Sequence, residues 1–109
     1  MIAGPLLTEK AFAWMLTVNL TDKPFGHARA WVQVQGPNGY VDSKWSNWGA
    51  ISTGTSSGAV TWNLPDSQFP DFSQYIVCAS SNEVLAFVSP NCVSGMHYNG
   101  DESITVSLE

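Results

Sequence analysis

The sequence predicts an all-β fold, a sandwich of about seven antiparallel strands with Greek-key connections. Short segments with large apolar residues at every second position recur along the chain, and this is the period of a strand with one face on a core. Clusters of Gly, Pro, Asn and Asp separate these segments. Helical spacing over about ten or more residues is missing, so seven or so short strands with turns between them predict a sandwich.

Length and composition indicate one domain. The chain has 109 residues, of which 44% are hydrophobic and 12% are charged. This suits a single buried core and is too short for two. We therefore expect one domain over residues 1–109. Because Met1 and the terminal Leu108 and Glu109 resemble added ends, we also expect it to be excised from a larger protein.

The charges and the apolar runs exclude two classes of partner. The net charge is -5 and the chain has only four Lys and Arg residues, which leaves no basic stripe for a phosphate backbone. The longest apolar runs, such as residues 11–16, fall far short of the roughly 20 residues that cross a bilayer. We expect no nucleic-acid binding and no membrane span.

The first two strands are predicted at residues 12–20 and 28–35. In the first, Trp14 and Leu16 share the apolar face and are expected in the core. A turn at 22–26 contains a proline and separates the two strands. The second strand turns small residues, alanine and valine, toward the core. Its opposite face carries Arg29, Trp31, Gln33 and Gln35.

The middle of the chain predicts a hairpin and a long loop. Residues 36–39 read Gly-Pro-Asn-Gly, and Asn-Gly accepts the positive φ angles of a tight hairpin. A short strand from 40 to about 44 follows. Residues 45–58 are dense in Ser, Thr and Gly, which predicts an exposed loop with one edge strand near 50–53.

Alternation returns in the second half. Residues 59–64 form a strand with Trp62 on its core face. Further strands are predicted at 75–79, 84–88 and 103–108. No repeat or internal linker interrupts the chain.

Two cysteines, Cys78 and Cys92, lack the spacing of a zinc or thioredoxin-type motif. They suit a disulfide between neighbouring strands if the surroundings are oxidising. Closing a loop of about 15 residues in this way would stabilise the fold by roughly 3 kcal/mol. The alternative is two separate buried thiols in a reducing compartment.

Five tryptophans are an unusual number for this length. Trp45 and Trp48 lie in the polar loop, where exposed rings beside hydrogen-bonding neighbours can stack on sugars or anchor a protein. Trp31 and Tyr40 are candidates to extend the same surface. The alternative is that the loop tryptophans fold back and cover the end of the sandwich.

No set of side chains predicts catalysis, a metal or a cofactor. Residues 54–58 match the letters Gly-x-Ser-x-Gly, but the motif needs a strand-turn-helix in a larger sheet, so a Gly/Ser turn is the better interpretation. His27 and His97 are expected to be solvated turn residues. The aspartates are expected to cap backbone groups at turns. They are Asp22, Asp42, Asp66, Asp71 and Asp101.

The phrase Gly-Ala-Val-Thr-Trp-Asn-Leu-Pro at 58–65, followed by Tyr-Ile-Val-Cys-Ala at 75–79, resembles the central signature of carboxypeptidase regulatory-like and transthyretin-like domains, including the B-type repeats of collagen adhesins. The alanine-valine pattern of 27–36 resembles an early strand of that family. The resemblance implies an immunoglobulin-like or prealbumin-like sandwich. The chain departs from the family at 65–74, where a longer bridge replaces a compact turn.

The resemblance and the low charge together predict a non-catalytic module of a secreted or cell-surface protein, with a structural, spacer or adhesion role. Its partner would then be another protein or another domain of the same chain. The alternative is a carbohydrate-binding module that uses the exposed tryptophans. We do not expect an enzyme, because no nucleophile, base and orienting group can be named together.

Overall fold

A computed structural model describes residues 13–22, 29–47, 58–81 and 90–108. Within these ranges the chain forms strands and no helix. The strands are β1 (Ala13–Thr21), β2 (Arg29–Gln35), β3 (Val41–Asn47), β4 (Gly58–Pro65), β5 (Ser73–Ser80), β6 (Asn91–His97) and β7 (Glu102–Ser107). They are arranged as two sheets with the orders β4-β1-β7 and β3-β2-β5-β6, which confirms the predicted all-β sandwich.

The core lies between the two sheets and is built from alternate residues of each strand. Trp14 and Leu16 of β1 are buried and lie opposite Leu64 and Trp62 of the antiparallel β4. The two core tryptophans are therefore where the period-two pattern predicts them. In β2 the inward alanine and valines are fully buried, as expected.

The bridge between β4 and β5 closes one end of this core. Gln68 and Phe69 donate their backbone N–H groups to the carbonyl of Pro65, which forms a tight turn. The turn directs Phe69 inward, where it is fully buried. Its ring packs so closely against Gly36 that a Cβ there would lie 3.1 Å from the ring. The long bridge thus fills this end of the core with the Phe69 ring.

One pairing differs from the all-antiparallel prediction. β1 and β7 are parallel, in a register that runs from Leu16 opposite Glu102 to Thr21 opposite Ser107. A period-two pattern gives the face of each residue but not the direction of the strand, so the sequence does not carry this information.

One strand end and one whole strand also differ from the prediction. β3 extends to Asn47, so Trp45 lies in a strand and not in the predicted loop. β6 was not predicted at all, because its sequence, Asn-Cys-Val-Ser-Gly-Met-His, has little apolar alternation. The strands predicted at 50–53 and 84–88 lie outside the described residues.

Candidate functional site

The solvent-facing surface of the four-stranded sheet, called here the outer face, carries an aromatic cluster of Arg29, Trp31 and Trp45. Trp31 and Trp45 are direct cross-strand partners, with ring centroids 4.8 Å apart and planes at 71°. The Arg29 guanidinium lies 4.1 Å from the centroid of the Trp45 ring. Cross-strand aromatic pairs and cation–π contacts each stabilise such a surface by about 0.5–1 kcal/mol.

The cluster explains why β3 continues past its predicted end, since Trp45 gains a partner ring by remaining in the sheet. Trp45 keeps 36% of its surface exposed, while Arg29 covers one face of its indole. The outward orientation of Trp31 agrees with the prediction from strand parity. Trp48 lies outside the described residues.

Tyr40 does not join this cluster. It lies at the other end of the β2–β3 hairpin, where Gly36 donates its backbone N–H to the Tyr40 carbonyl. Its ring packs edge-on against Phe69, with centroids 5.6 Å apart. Of the three predicted ligand-binding aromatic residues that are described, the structure brings together two.

Polar side chains continue the outer face away from the aromatic cluster. Gln33 lies opposite Ser43 on one side and Cys78 on the other. The next row places Gln35 opposite Ile76. Beyond it is an open depression of about 390 Å³. Its lining comprises Gln35, Gly36, Pro37, Gln74, Tyr75, Ile76 and Ser94.

Cys78 and Cys92 lie on the outer face, near its β6 edge, and form the predicted bridge between neighbouring strands. They are register partners on β5 and β6, with Cα atoms 4.0 Å apart and sulfur atoms 2.11 Å apart. The alternative of two separate buried thiols is therefore wrong. Cys92 is exposed to solvent.

A second polar group lies at the end of the sandwich, around His97. The expectation that this histidine is solvated is wrong, because it is 1% exposed and its ring stacks on Trp14 with centroids 3.8 Å apart and planes 5° apart. Its Nε2 is 3.1 Å from Asp71 Oδ1. Its Nδ1 has no hydrogen-bond partner and lies 3.8 Å from Glu102 Oε2.

A third acid, Asp66, completes the surroundings of His97. Asp66, Asp71 and His97 each offer a ligand atom, and these atoms all lie within 4.8 Å of one another. Sequence reasoning missed this group, since His97 lies 26 residues from Asp71 and the three residues match no metal-binding spacing. On the neighbouring strand, burial and, to a smaller extent, Glu102 raise the pKa of Tyr75 to about 12.

Two other aspartates accept hydrogen bonds from strands distant in sequence. Asp42 lies inside β3 and accepts a hydrogen bond of 3.1 Å from the indole N–H of Trp62. Asp101 accepts one of 2.8 Å from the backbone N–H of Met15. Both bonds join segments distant in sequence, which the prediction of local capping did not anticipate.

No family model matches this chain, and comparison with curated proteins and with solved structures found no match. The resemblance to carboxypeptidase regulatory-like domains stays a prediction. Among the described residues no helix is long and apolar enough to cross a membrane. The outer face and the His97 region are therefore the two candidate sites in the described part of the chain.

Proposed function

We propose that this domain is a non-catalytic β-sandwich module of a secreted or cell-surface protein, with a structural or adhesive role. The observation that carries the proposal is the Cys78–Cys92 pair at disulfide distance on an exposed sheet surface. Disulfides form and persist in oxidising compartments and are rare in the cytosol. A bridge between two neighbouring strands also fastens β6, whose own sequence favours a strand only weakly.

The surface of the three-stranded sheet supports a structural role. Many of its outward positions carry short uncharged polar side chains, Met15 being an exposed apolar exception, and Asn19 donates a hydrogen bond of 2.9 Å to Ser103 across the parallel pair. This hydrogen bond joins two neighbouring strands, which suits a structural role. Thr17, Thr61 and Thr105 are further members.

Cell-surface exposure can be measured with antibodies raised against the domain. Intact cells that express the encoding gene, their medium and their lysate would be probed in parallel. Thiol alkylation without reductant would be followed by intact mass. We expect signal on intact cells or in the medium, with both cysteines protected from alkylation. Signal confined to the lysate, or two alkylated thiols in folded protein, would overturn the proposal.

Carbohydrate binding is the second candidate function, and the aromatic cluster favours it. Trp45 presents the ring surface that Arg29 does not cover, and glutamine and serine side chains continue the same face. Aromatic rings contact the apolar faces of sugars while amide side chains exchange hydrogen bonds with hydroxyls. A neutral oligosaccharide lying along the outer face would meet both kinds of group.

Glycan-array screening followed by tryptophan fluorescence titration tests this second function. We expect a saturable change in tryptophan fluorescence, and we expect the affinity for the glycan to be at least tenfold weaker in Trp45→Ala. The matched control is Tyr98→Ala, which removes an aromatic side chain that is more exposed but lies outside the outer face. Silence across the array, or equal weakening in both variants, would refute binding at the aromatic cluster.

A further inference from the structure

We infer that Asp66, Asp71 and His97 form a binding site for a divalent metal ion of the zinc type, where the β4–β5 bridge meets the end of β6. Two carboxylate oxygens and one imidazole nitrogen are a donor set that zinc accepts, with water as the fourth ligand. Harder ions such as calcium prefer six or more oxygen ligands. The donor chemistry therefore favours zinc over calcium.

The distances suit a small ion. In a tetrahedral site with bonds of about 2.05 Å, neighbouring ligand atoms are about 3.3 Å apart. His97 Nε2 and Asp71 Oδ1 are already 3.1 Å apart. No pair in the cluster exceeds 4.8 Å, so an aspartate has to move by at most about 1.5 Å. Both aspartates are partly exposed.

The backbone holds the two carboxylates beside the histidine. They flank a short segment anchored in the core by Phe69, which also accepts a hydrogen bond of 3.0 Å from the indole N–H of Trp14. At the far end of the segment Phe72 donates its backbone N–H to the carbonyl of Tyr98, next to His97. The ligand-bearing segments are thus fixed to each other through the backbone.

The orientation of the His97 ring is a separate observation in favour of the site. Stacking on Trp14 fixes the plane of the ring, and Nε2 faces the two aspartates while Nδ1 faces Glu102. A histidine that binds a metal through one nitrogen usually directs its other N–H to a carboxylate or carbonyl. With a metal on Nε2 the proton resides on Nδ1 and points at Glu102.

The unpartnered Nδ1 of His97 also fits a metal on Nε2. Nδ1 is fully buried and has no hydrogen-bond partner, which is uncommon for a buried polar atom. When Nε2 carries the only ring proton and donates it to Asp71, Nδ1 presents a lone pair toward the Glu102 carboxylate. Metal binding removes that repulsion and neutralises the two aspartates.

The test uses the oxidised chain after chelator treatment, titrated with zinc by calorimetry and, in parallel, with calcium and magnesium. We expect one zinc per chain and at least tenfold weaker binding in Asp66→Ala, which leaves the His97–Asp71 hydrogen bond in place. The matched control is Asp101→Ala, an aspartate outside the cluster. A second variant, His97→Gln, should abolish binding.

Nitrogen chemical shifts of the histidines provide a direct readout. The chain has two histidines, so His27 serves as an internal reference for the Nε2 shift of His97 on adding zinc. A shift of His97 alone supports the site. Absence of saturable zinc binding, unchanged binding in Asp66→Ala, a shift confined to His27, or tighter binding of calcium than of zinc would each overturn it.

Discussion

Replacing Gly95 with alanine should destabilise the fold through one contact. Gly95 lies in β6 directly opposite Tyr75, whose ring covers it. A Cβ at position 95 would meet the Cζ of Tyr75 and would lie 2.5 Å from its hydroxyl oxygen and 2.7 Å from Cε1. The ring is 3% exposed and packs on Trp14 with centroids 5.7 Å apart, so it cannot swing away without leaving the core.

The expected magnitude follows from two opposing effects. Overpacking a core position costs about 1–3 kcal/mol. Glycine to alanine at a position with ordinary φ stabilises by about 0.4–1 kcal/mol, because the unfolded chain loses freedom. Three ring atoms lie inside the normal contact distance, which favours the upper part of the first range. We expect Gly95→Ala to lower the free energy of unfolding by about 2 kcal/mol.

Guanidinium unfolding of the oxidised protein, followed by circular dichroism, measures this loss. In a Tyr75→Leu background the ring is gone, and Gly95→Ala should become neutral or slightly stabilising. Gly100→Ala is the matched control, because nothing lies within 4 Å of a Cβ at that glycine. Equal cost of Gly95→Ala in both backgrounds, or no cost in the parent, would refute the reasoning.

Three further perturbations have defined outcomes. Changing Cys78 and Cys92 to serine should lower the free energy of unfolding by about 3 kcal/mol in denaturant titrations, since their separation of 14 residues closes a loop in the unfolded chain; unchanged stability would contradict this. The raised pKa of Tyr75, about 12, means that its neutral form stabilises the fold fully below pH 10, and that this contribution is lost as the pH rises from 10 to 12. Between pH 9 and pH 12 the free energy of unfolding should fall by roughly 2–3 kcal/mol more in the parent protein than in Tyr75→Phe. Parallel pH profiles of the two proteins would contradict this. Asp42→Ala removes the hydrogen-bond acceptor of the buried indole N–H of Trp62. We expect it to lower the free energy of unfolding by about 1–3 kcal/mol in thermal or chemical unfolding, and by much less in a Trp62→Phe background.

Most of the strands could be predicted from the local alternation of apolar residues. Strands with one strongly apolar face, such as β1 and β4, were predicted because period two is a direct consequence of pleating. β6 was not, because its side chains alternate weakly and its pairing depends on β5 and on the cysteine bridge. The direction of β7 depends on where the chain crosses between sheets, which no local pattern records.

The candidate sites show the same division. The register of the β2–β3 hairpin places residues whose numbers sum to 76 opposite each other, so Trp31 meets Trp45. A two-residue Asn-Gly turn at 38–39 would give a sum of 77 instead, and the predicted strand ended at about 44, so the sequence did not predict this pair. The burial of His97 depends on Trp14 and Asp71, each more than 20 residues away in sequence, and spacing alone does not reveal it.

The parallel contact between β1 and β7 has a mechanical consequence. Because the two strands run in the same direction, a force pulling on Ala13 and on Ser107 acts along both strands and in opposite senses. The ladder from Leu16–Glu102 to Thr21–Ser107 is then loaded in shear, so its hydrogen bonds resist together and do not open one after another. If neighbouring domains pulled on this module through β1 and β7, the parallel ladder would resist the tension in shear.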